Sequence, residues 1–438
     1  MNLEQLKTKL IDLECSRIYV KRLSPNDNSK NQIYFGGSFE VLNVFPLSEI
    51  VSESPGEWER ERFKASMEFF WLTDTGELIS APNTQLILYP KYPEVRLSGF
   101  LKGCQYKRLS ELLQSRNEGR ILFLAITRKR KVIGLVTDKN AVLSKEFNAL
   151  QDLSMTGLFY TIELNTVINS RAVLLNKLKE IHLTGWIRSK KLTPTGGLEK
   201  CEAPNCGGYT LEAELGIKPN GYAEPDYLGW EIKQFNVVSF DKYASSTITL
   251  MTPEPTGGYY TAAGANAFLI KYGYKDHAGR ADRINFGGIY KIGITHLETK
   301  LRIELIGFDA KTNKIKQSNG KIALIDRNDN IAAEWNFTSM LKHWNRKHNQ
   351  ACYVPSIKKM EPVLHYHYGD KIILGTHTDF QLFLGELSRG NIYYDPGIKM
   401  EYASTARPKI KKRSQFRTRS VFLANLYHNN EVIDLNTI

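Results

Sequence analysis

The sequence predicts a protein in two parts. A mostly β domain covers residues 1–155, an α/β (α+β) domain covers residues 171–438, and a linker at 156–170 joins them. Three observations carry this prediction. Short segments rich in Val, Ile, Tyr and Phe recur between turn residues through the first third of the chain, the spacing of a small barrel or sandwich. From residue 171 onward, segments with apolar residues at helical spacing alternate with strand-like ones. One stretch between them, YTLEAELGIKPNGYAEPDYLGWEIKQF at 209–235, sets carboxylates and a lysine at spacings that suit chemistry as much as packing.

Bulk properties narrow the class. A chain of 438 residues with 42% hydrophobic and 24% charged residues can bury two or three cores. Its net charge of +13 favours a polyanionic partner, because Lys and Arg that neutralise phosphates release counterions. No apolar run approaches the roughly 20 residues of a spanning helix, and the start MNLEQLKTKLIDLE has no signal-peptide pattern. A cytoplasmic protein of bacterial type, without a membrane partner, is therefore expected. Five scattered cysteines do not form a disulfide framework, and Cys201 and Cys206 read as free thiols in a loop.

Residues 3–15 carry Leu and Ile at helical spacing and predict a short amphipathic helix. Ile18-Tyr19-Val20 begins a strand that runs into Lys21, Arg22 and an Asn-rich turn with Asn26 and Asn28, a candidate DNA-contacting loop. QIYFGG, EVLNVFP, MEFFWLT, LISA, TQLILYP, VRLSGF, ILFLAITR and KVIGLVT then read as β segments. Residues 171–183 predict the helix that opens the second domain. Arg188 and Lys190 precede a long Gly/Pro-rich loop, and both are expected to contact DNA. Strands over 285–310 and 321–337 are expected to extend a central sheet, followed by helices at 339–350 and 379–387. Neither GxxxxGK[ST] nor a strand-borne GxGxxG is present, so no nucleotide cofactor is implied.

Within the 209–235 stretch, Leu211 to Leu215 reads as a helical turn stopped by Gly216, which presents Glu212. Gly221 and Pro225 mark a turn before Asp226. In a strand, Glu231 and Lys233 share one face while Trp230 and Ile232 enter the core on the other. Carboxylates beside one lysine suit metal-assisted phosphodiester hydrolysis. Hard oxygens hold Mg²⁺, and a compact cation orients water or stabilises the transition state.

These residues resemble the PD-(D/E)xK nuclease motif as it occurs in the MvaI/BcnI restriction endonucleases, relatives of the mismatch-repair nicking enzyme MutH. The pattern is Glu212 on a helix, then Pro225-Asp226, then Glu231-Ile232-Lys233. Gly185-Trp186 upstream, and Thr252-Pro253 through Lys271-Tyr272-Gly273 downstream, extend the likeness. The segment IYVKRLSPNDNSKNQIYFG is similar to the start of an EcoRII-like DNA-binding pseudobarrel, which UbaLAI-type enzymes join to an MvaI-like domain. The resemblance implies a Type II restriction endonuclease cleaving double-stranded DNA at a short CC/GG-containing site and leaving 5′-phosphates. It implies catalytic Glu212, Asp226, Glu231 and Lys233, Mg²⁺ on Asp226 and Glu231, and a monomer able to engage two DNA copies.

Toward the C-terminus, Arg407, Lys409, Lys411, Lys412, Arg413, Arg417 and Arg419 form a run with no acidic residue inside it. With Lys399 it reads as phosphate-binding, since a merely solvated face mixes signs. In the family, histidines stand in that loop, and here lysines and arginines replace them. Two rival readings remain from the sequence: a strand-nicking repair endonuclease, and a DNA-binding regulator that does not cleave.

Overall fold

The computed structural model describes the chain except residues 26–31, 38, 54–60, 91–93, 116, 165–168, 204, 218–225 and 242–245, and the side chains of 114 and 346. Asn26 and Asn28, and the Gly221–Pro225 turn, lie outside the described residues. The chain divides into two compact units, Met1–Ile168 and Asn169–Ile438.

The first unit is mostly β. One seven-stranded sheet is built around Cys15–Arg22 and Ile121–Thr127, and a five-stranded antiparallel sheet runs from Gln32–Gly36 to Ile50–Glu53. The helix Leu3–Asp12 is held by a capping box, in which Asn2 and Gln5 bond each other's backbone reciprocally. It buries Leu3, Leu6 and Leu10 against Ile18, Val20, Phe123 and Phe147. Three expectations change here. EVLNVFP forms a 3-10 turn at Phe39–Asn43 rather than a strand, with Phe39, Val41 and Leu42 all buried, a spacing that a period of two does not allow. Lys107–Gln114 is a helix that the β-rich pattern concealed. The stretch expected as linker supplies the strand Phe159–Glu163, which pairs with Arg17–Val20.

The second unit is centred on a six-stranded mixed sheet. Its axis is the long strand Gln350–Lys359, which pairs in parallel with Glu231–Asn236, Glu231 lying opposite Ala351. On its other side it pairs antiparallel with Lys371–Thr376 and His365–Tyr368. The helix Ser170–Leu183 opens the unit and packs Leu174, Leu175, Leu178 and Ile181 into one core with Trp230, Ile232, Cys352 and Val354. Burying side chains such as Trp230 and Ile232 contributes about 2 kcal/mol each.

The strands between residues 283 and 336 do not extend this sheet as the sequence suggested. Arg283–Gly287 pairs with Gly397–Glu401, which pairs with Lys409–Lys411, while Arg302–Ile306, Lys321–Ile325 and Ile331–Asn336 form a sheet of their own. Alternating apolar residues specify a strand but not its partner, so this placement was outside the reach of periodicity. The Gly/Pro-rich loop is also more ordered than expected. Lys190–Leu192 and Leu198–Lys200 form a hairpin, and Cys201 is joined to Cys206 by a disulfide. The two Cα atoms stand 5.7 Å apart, within disulfide reach, and both side chains are buried. The free-thiol expectation is therefore corrected.

Candidate active site

The Glu212 side chain is positioned by a short, well-anchored helix. Cys206–Glu214 begins at the disulfide, five residues earlier than the sequence implied, and includes Gly207 and Gly208. A Cβ at Gly207 would lie 2.6 Å from Gln234 Oε1 and 3.0 Å from the Tyr366 ring, so glycine lets this helix approach the sheet. Tyr368 donates its hydroxyl to the Gly207 carbonyl at 2.8 Å, and Thr210 bonds both backbone groups of Lys190. The helix ends as Gly216 was expected to end it. Gly216 takes φ +73°, its N–H bonds Ala213 O, and Ile217 N–H bonds Glu212 O. This doubly bonded terminus fixes the last turn, and with it Glu212.

The four-residue gap between Asp226 and Glu231 has a geometric reason. Tyr227 and Trp230 exchange both backbone hydrogen bonds, at 2.9 and 2.8 Å, around Leu228 and Gly229. Both turn residues have positive φ, +48° and +89°, the condition for a tight two-residue hairpin whose twist matches its strands. A leucine in this region costs roughly 1 kcal/mol. The turn folds Asp226 back across from Glu231, and Asp226 Oδ2 accepts from Ile232 N–H at 3.0 Å.

Trp230 and Ile232 enter the core as predicted, and on the opposite face Glu231 is fully buried as well. Its Oε1 accepts from Lys233 Nζ at 2.5 Å and lies 3.5 Å from Lys347 Nζ. Its Oε2 is buried with no hydrogen-bond partner among the described residues. Burial works to protonate Glu231, yet the charges of Lys233 and Lys347 outweigh it and hold the carboxyl below its ordinary range. Asp226 behaves oppositely. Burial, then the neighbouring Glu231, pushes it up to about 6. Glu212 is raised by burial and by Asp226. Burial disfavours charge on Lys233 too, but Glu231 more than compensates and raises it. The predicted quartet is thus one electrostatically coupled cluster.

Two further residues belong to this neighbourhood: Lys347 was missed, and His348 was read only as one of five histidines that could contact DNA. Lys347 and His348 end the helix Phe337–His348, which leads directly into the long strand beside the motif strand. His348 is fully buried, stacked on Trp344 with ring centres 4.0 Å apart. Its Nε2 is 3.0 Å from Leu250 O, so it donates there, and Nδ1 accepts from Tyr427 Oη at 3.2 Å. Burial, then Lys233, depresses it to about 3. The sequence did predict this helix, but nothing in spacing linked its end to a motif so far upstream.

Of the residues expected to contact DNA, Lys399, Lys411, Lys412 and Arg413 come together around a cleft of about 520 Å³, with Tyr274, Arg283 and Asn285 on its wall. Acids from other segments reach them. Lys399 and Lys411 bracket Glu401, each at 3.5 Å, Lys412 is 3.8 Å from Glu254, and Arg417 is 2.6 Å from Asp395. Arg407 and Arg188 are exposed. Lys190 pairs with Glu214 at 2.5 Å, on the helix that carries Glu212. In the first unit, Lys21 is half-buried, and Arg22 bonds Asn148 and lies over the Phe147 and Tyr160 rings.

The model of the MvaI/BcnI restriction endonuclease family matches residues 175–427, more than half of the chain and all of this cluster. The chain belongs to that family. It is a Type II restriction endonuclease, a DNA hydrolase. Among solved structures it is similar to the complex of restriction endonuclease MvaI with its cognate DNA substrate, at 19% identity, with 62% of this chain and 100% of that one covered and a TM-score of 0.46. MvaI in the absence of DNA is matched at 18% identity over 61% and 99% of the chains, with a TM-score of 0.34. No protein of curated function matches. Among the described residues, no helix is long and apolar enough to cross a membrane.

Proposed function

We propose that this enzyme cuts both strands of DNA at a short CC/GG-containing sequence, by Mg²⁺-dependent hydrolysis that leaves 5′-phosphates, and that its second unit is a PD-(D/E)xK nuclease. The observation that carries the reading is Glu231: a fully buried carboxylate whose Oε1 faces two lysines while Oε2 has no partner among the described residues. Such an atom costs about 1–3 kcal/mol unless something binds it. With Asp226 folded across from it, the pair fits Mg²⁺, which takes one or two carboxylates and fills the rest of its shell with water and substrate phosphate. That limited demand agrees with the described residues, where no group of three or more His, Cys, Asp or Glu side chains gathers to hold an ion.

In this reading Asp226 and Glu231 hold the ion, which when bound lowers the cost of charge growing on phosphorus oxygens. Lys233, its ammonium within the site, orients the attacking water and stabilises the charge that develops. Glu212 keeps the cluster negative enough to retain a divalent cation. Lys399, Lys411, Lys412, Arg413, Arg417 and Arg407 draw in and position phosphates, joined by Arg188 and Lys190 near the catalytic helix. The first unit, an EcoRII-like pseudobarrel, binds DNA with Lys21, Arg22, Asn26 and Asn28. The enzyme works as a monomer able to engage two DNA copies, without a nucleotide. Digestion of unmethylated plasmid and phage DNA by purified protein, with and without Mg²⁺ and followed by end sequencing, tests all of this. Discrete Mg²⁺-dependent fragments with CC/GG-containing ends are expected, and nicked circles alone would replace double-strand cutting with strand nicking.

A further inference from the structure

Glu231 Oε1 is approached by two ammonium groups where one would complete an ion pair. Lys233 already stands at 2.5 Å, and Lys347 adds a second charge at 3.5 Å. A lysine in the last turn of a helix is favourable for its own sake, because the C-terminal end is partly negative. That accounts for a lysine at position 347 but not for where its ammonium points. The side chain turns into the site with 24% of its surface exposed, and Glu231 is its one acidic partner among the described residues. Its backbone is set firmly. Asn336 caps the start of the helix through Ser339 N–H at 2.8 Å, and the next residue, His348, is locked to Leu250, Tyr427 and Trp344.

We propose that Lys347 is a positioning residue of the cleavage site: its charge holds Glu231 through Oε1, which keeps Oε2 open for the ion and frees Lys233 to turn to the attacking water. This rests on the assignment of Glu231 as an ion ligand made above. The charge count gives the reason. Among the described residues, the lysines that act on Glu212, Asp226 and Glu231 are Lys233 and Lys347, so without Lys347 the remaining lysine is pinned by three carboxylates. An ammonium so pinned is poorly placed to serve a water. The more negative site, in contrast, attracts a divalent cation more strongly, since Coulomb attraction rises with each uncompensated charge.

The two consequences have opposite signs, and that makes the inference testable on the full-length enzyme. Lys347→Met is expected to slow single-turnover cleavage of a duplex cut by the wild type about 100-fold, the scale of losing one preorganised charge. Mn²⁺ alone, titrated by electron paramagnetic resonance, is expected to bind the same variant several-fold tighter. Lys347→Arg, which keeps the charge, is expected to recover most of the rate and near wild-type Mn²⁺ affinity. Cleavage by Lys347→Met at the wild-type rate would overturn the inference. So would a slow variant that binds Mn²⁺ more weakly and is not rescued by arginine, because that is the behaviour of a structural prop. Mn²⁺ binding that Glu231→Ala abolishes, in a wild-type enzyme that releases no product, would instead sink the cleavage reading while the Mn²⁺ comparison still decides Lys347.

Discussion

Two clusters of charge in the second unit are composed of the same residue types and differ in everything else. Around Glu231, which is buried, the half-buried carboxylates of Glu212 and Asp226 crowd in, and one Glu231 oxygen has no hydrogen-bond partner among the described residues. Around Glu401 and Asp395 the lysines and arginines of the basic run meet acids one by one at the surface, with half of the Lys411 and Lys412 side chains exposed. Surface pairs of this kind contribute about 0–1 kcal/mol and exchange readily for phosphate. Buried, unbalanced charge is costly, and a fold that retains it marks where an ion or substrate completes the account. In the proposed function, reaction chemistry belongs to the first cluster and electrostatic grip to the second.

The sharpest way to break this contrast is to remove its buried half. Asp226→Ala and Lys233→Ala should each lower cleavage by at least about 10³-fold while specific DNA binding, measured by gel shift in Ca²⁺, stays within a few-fold of wild type. Either variant cutting normally would move the reaction elsewhere. Glu212→Gln, which keeps shape and removes charge, should cost about 10- to 100-fold in rate, the usual scale for a supporting group.

His348 tests the buried side through stability rather than cleavage. Its proton is taken up near pH 6.5 in the unfolded chain but only near pH 3 in the folded one. The unfolded state therefore binds more protons in between. The native state is fully favoured above about pH 6.5 and loses about 1.4 kcal/mol per pH unit as pH falls toward 3. Thermal melts from pH 7 to pH 5 should show a shallower acid loss in His348→Gln than in the wild type. An identical slope would remove His348 as the cause.

The smallest effect should come from the surface cluster. Arg407→Ala should weaken binding a few-fold on specific and non-specific DNA alike and reduce the salt slope by about 1, as expected for one phosphate contact. A change in the sequence cut, with the slope unchanged, would make Arg407 a reader of bases instead.

Much of the site could be read from the chain because its parts are local. Glu212 sits before a helix-stopping Gly216, and a two-residue turn sets the distance from Asp226 to Glu231. Alternation along one strand sends Trp230 and Ile232 inward. Two β-turn residues with positive φ, one of them Leu228, carried no signal, because only the paired backbone of Tyr227 and Trp230 enforces that conformation. The loop after Lys190 looked unstructured since its hairpin and disulfide depend on contacts with the Glu212 helix and the sheet.

Sequence by itself determined which residues could do this chemistry, a β-rich part before a mixed one, and the family to which the second part belongs. Local propensity and period act over a few residues and are written where they act. Only the tertiary structure decided that Glu231 is buried, that Lys347 reaches it from a helix far downstream, and that the strands between residues 283 and 336 form sheets apart from the central one. Those outcomes depend on which surfaces meet, and burial and Coulomb energy depend on distance in space rather than along the chain.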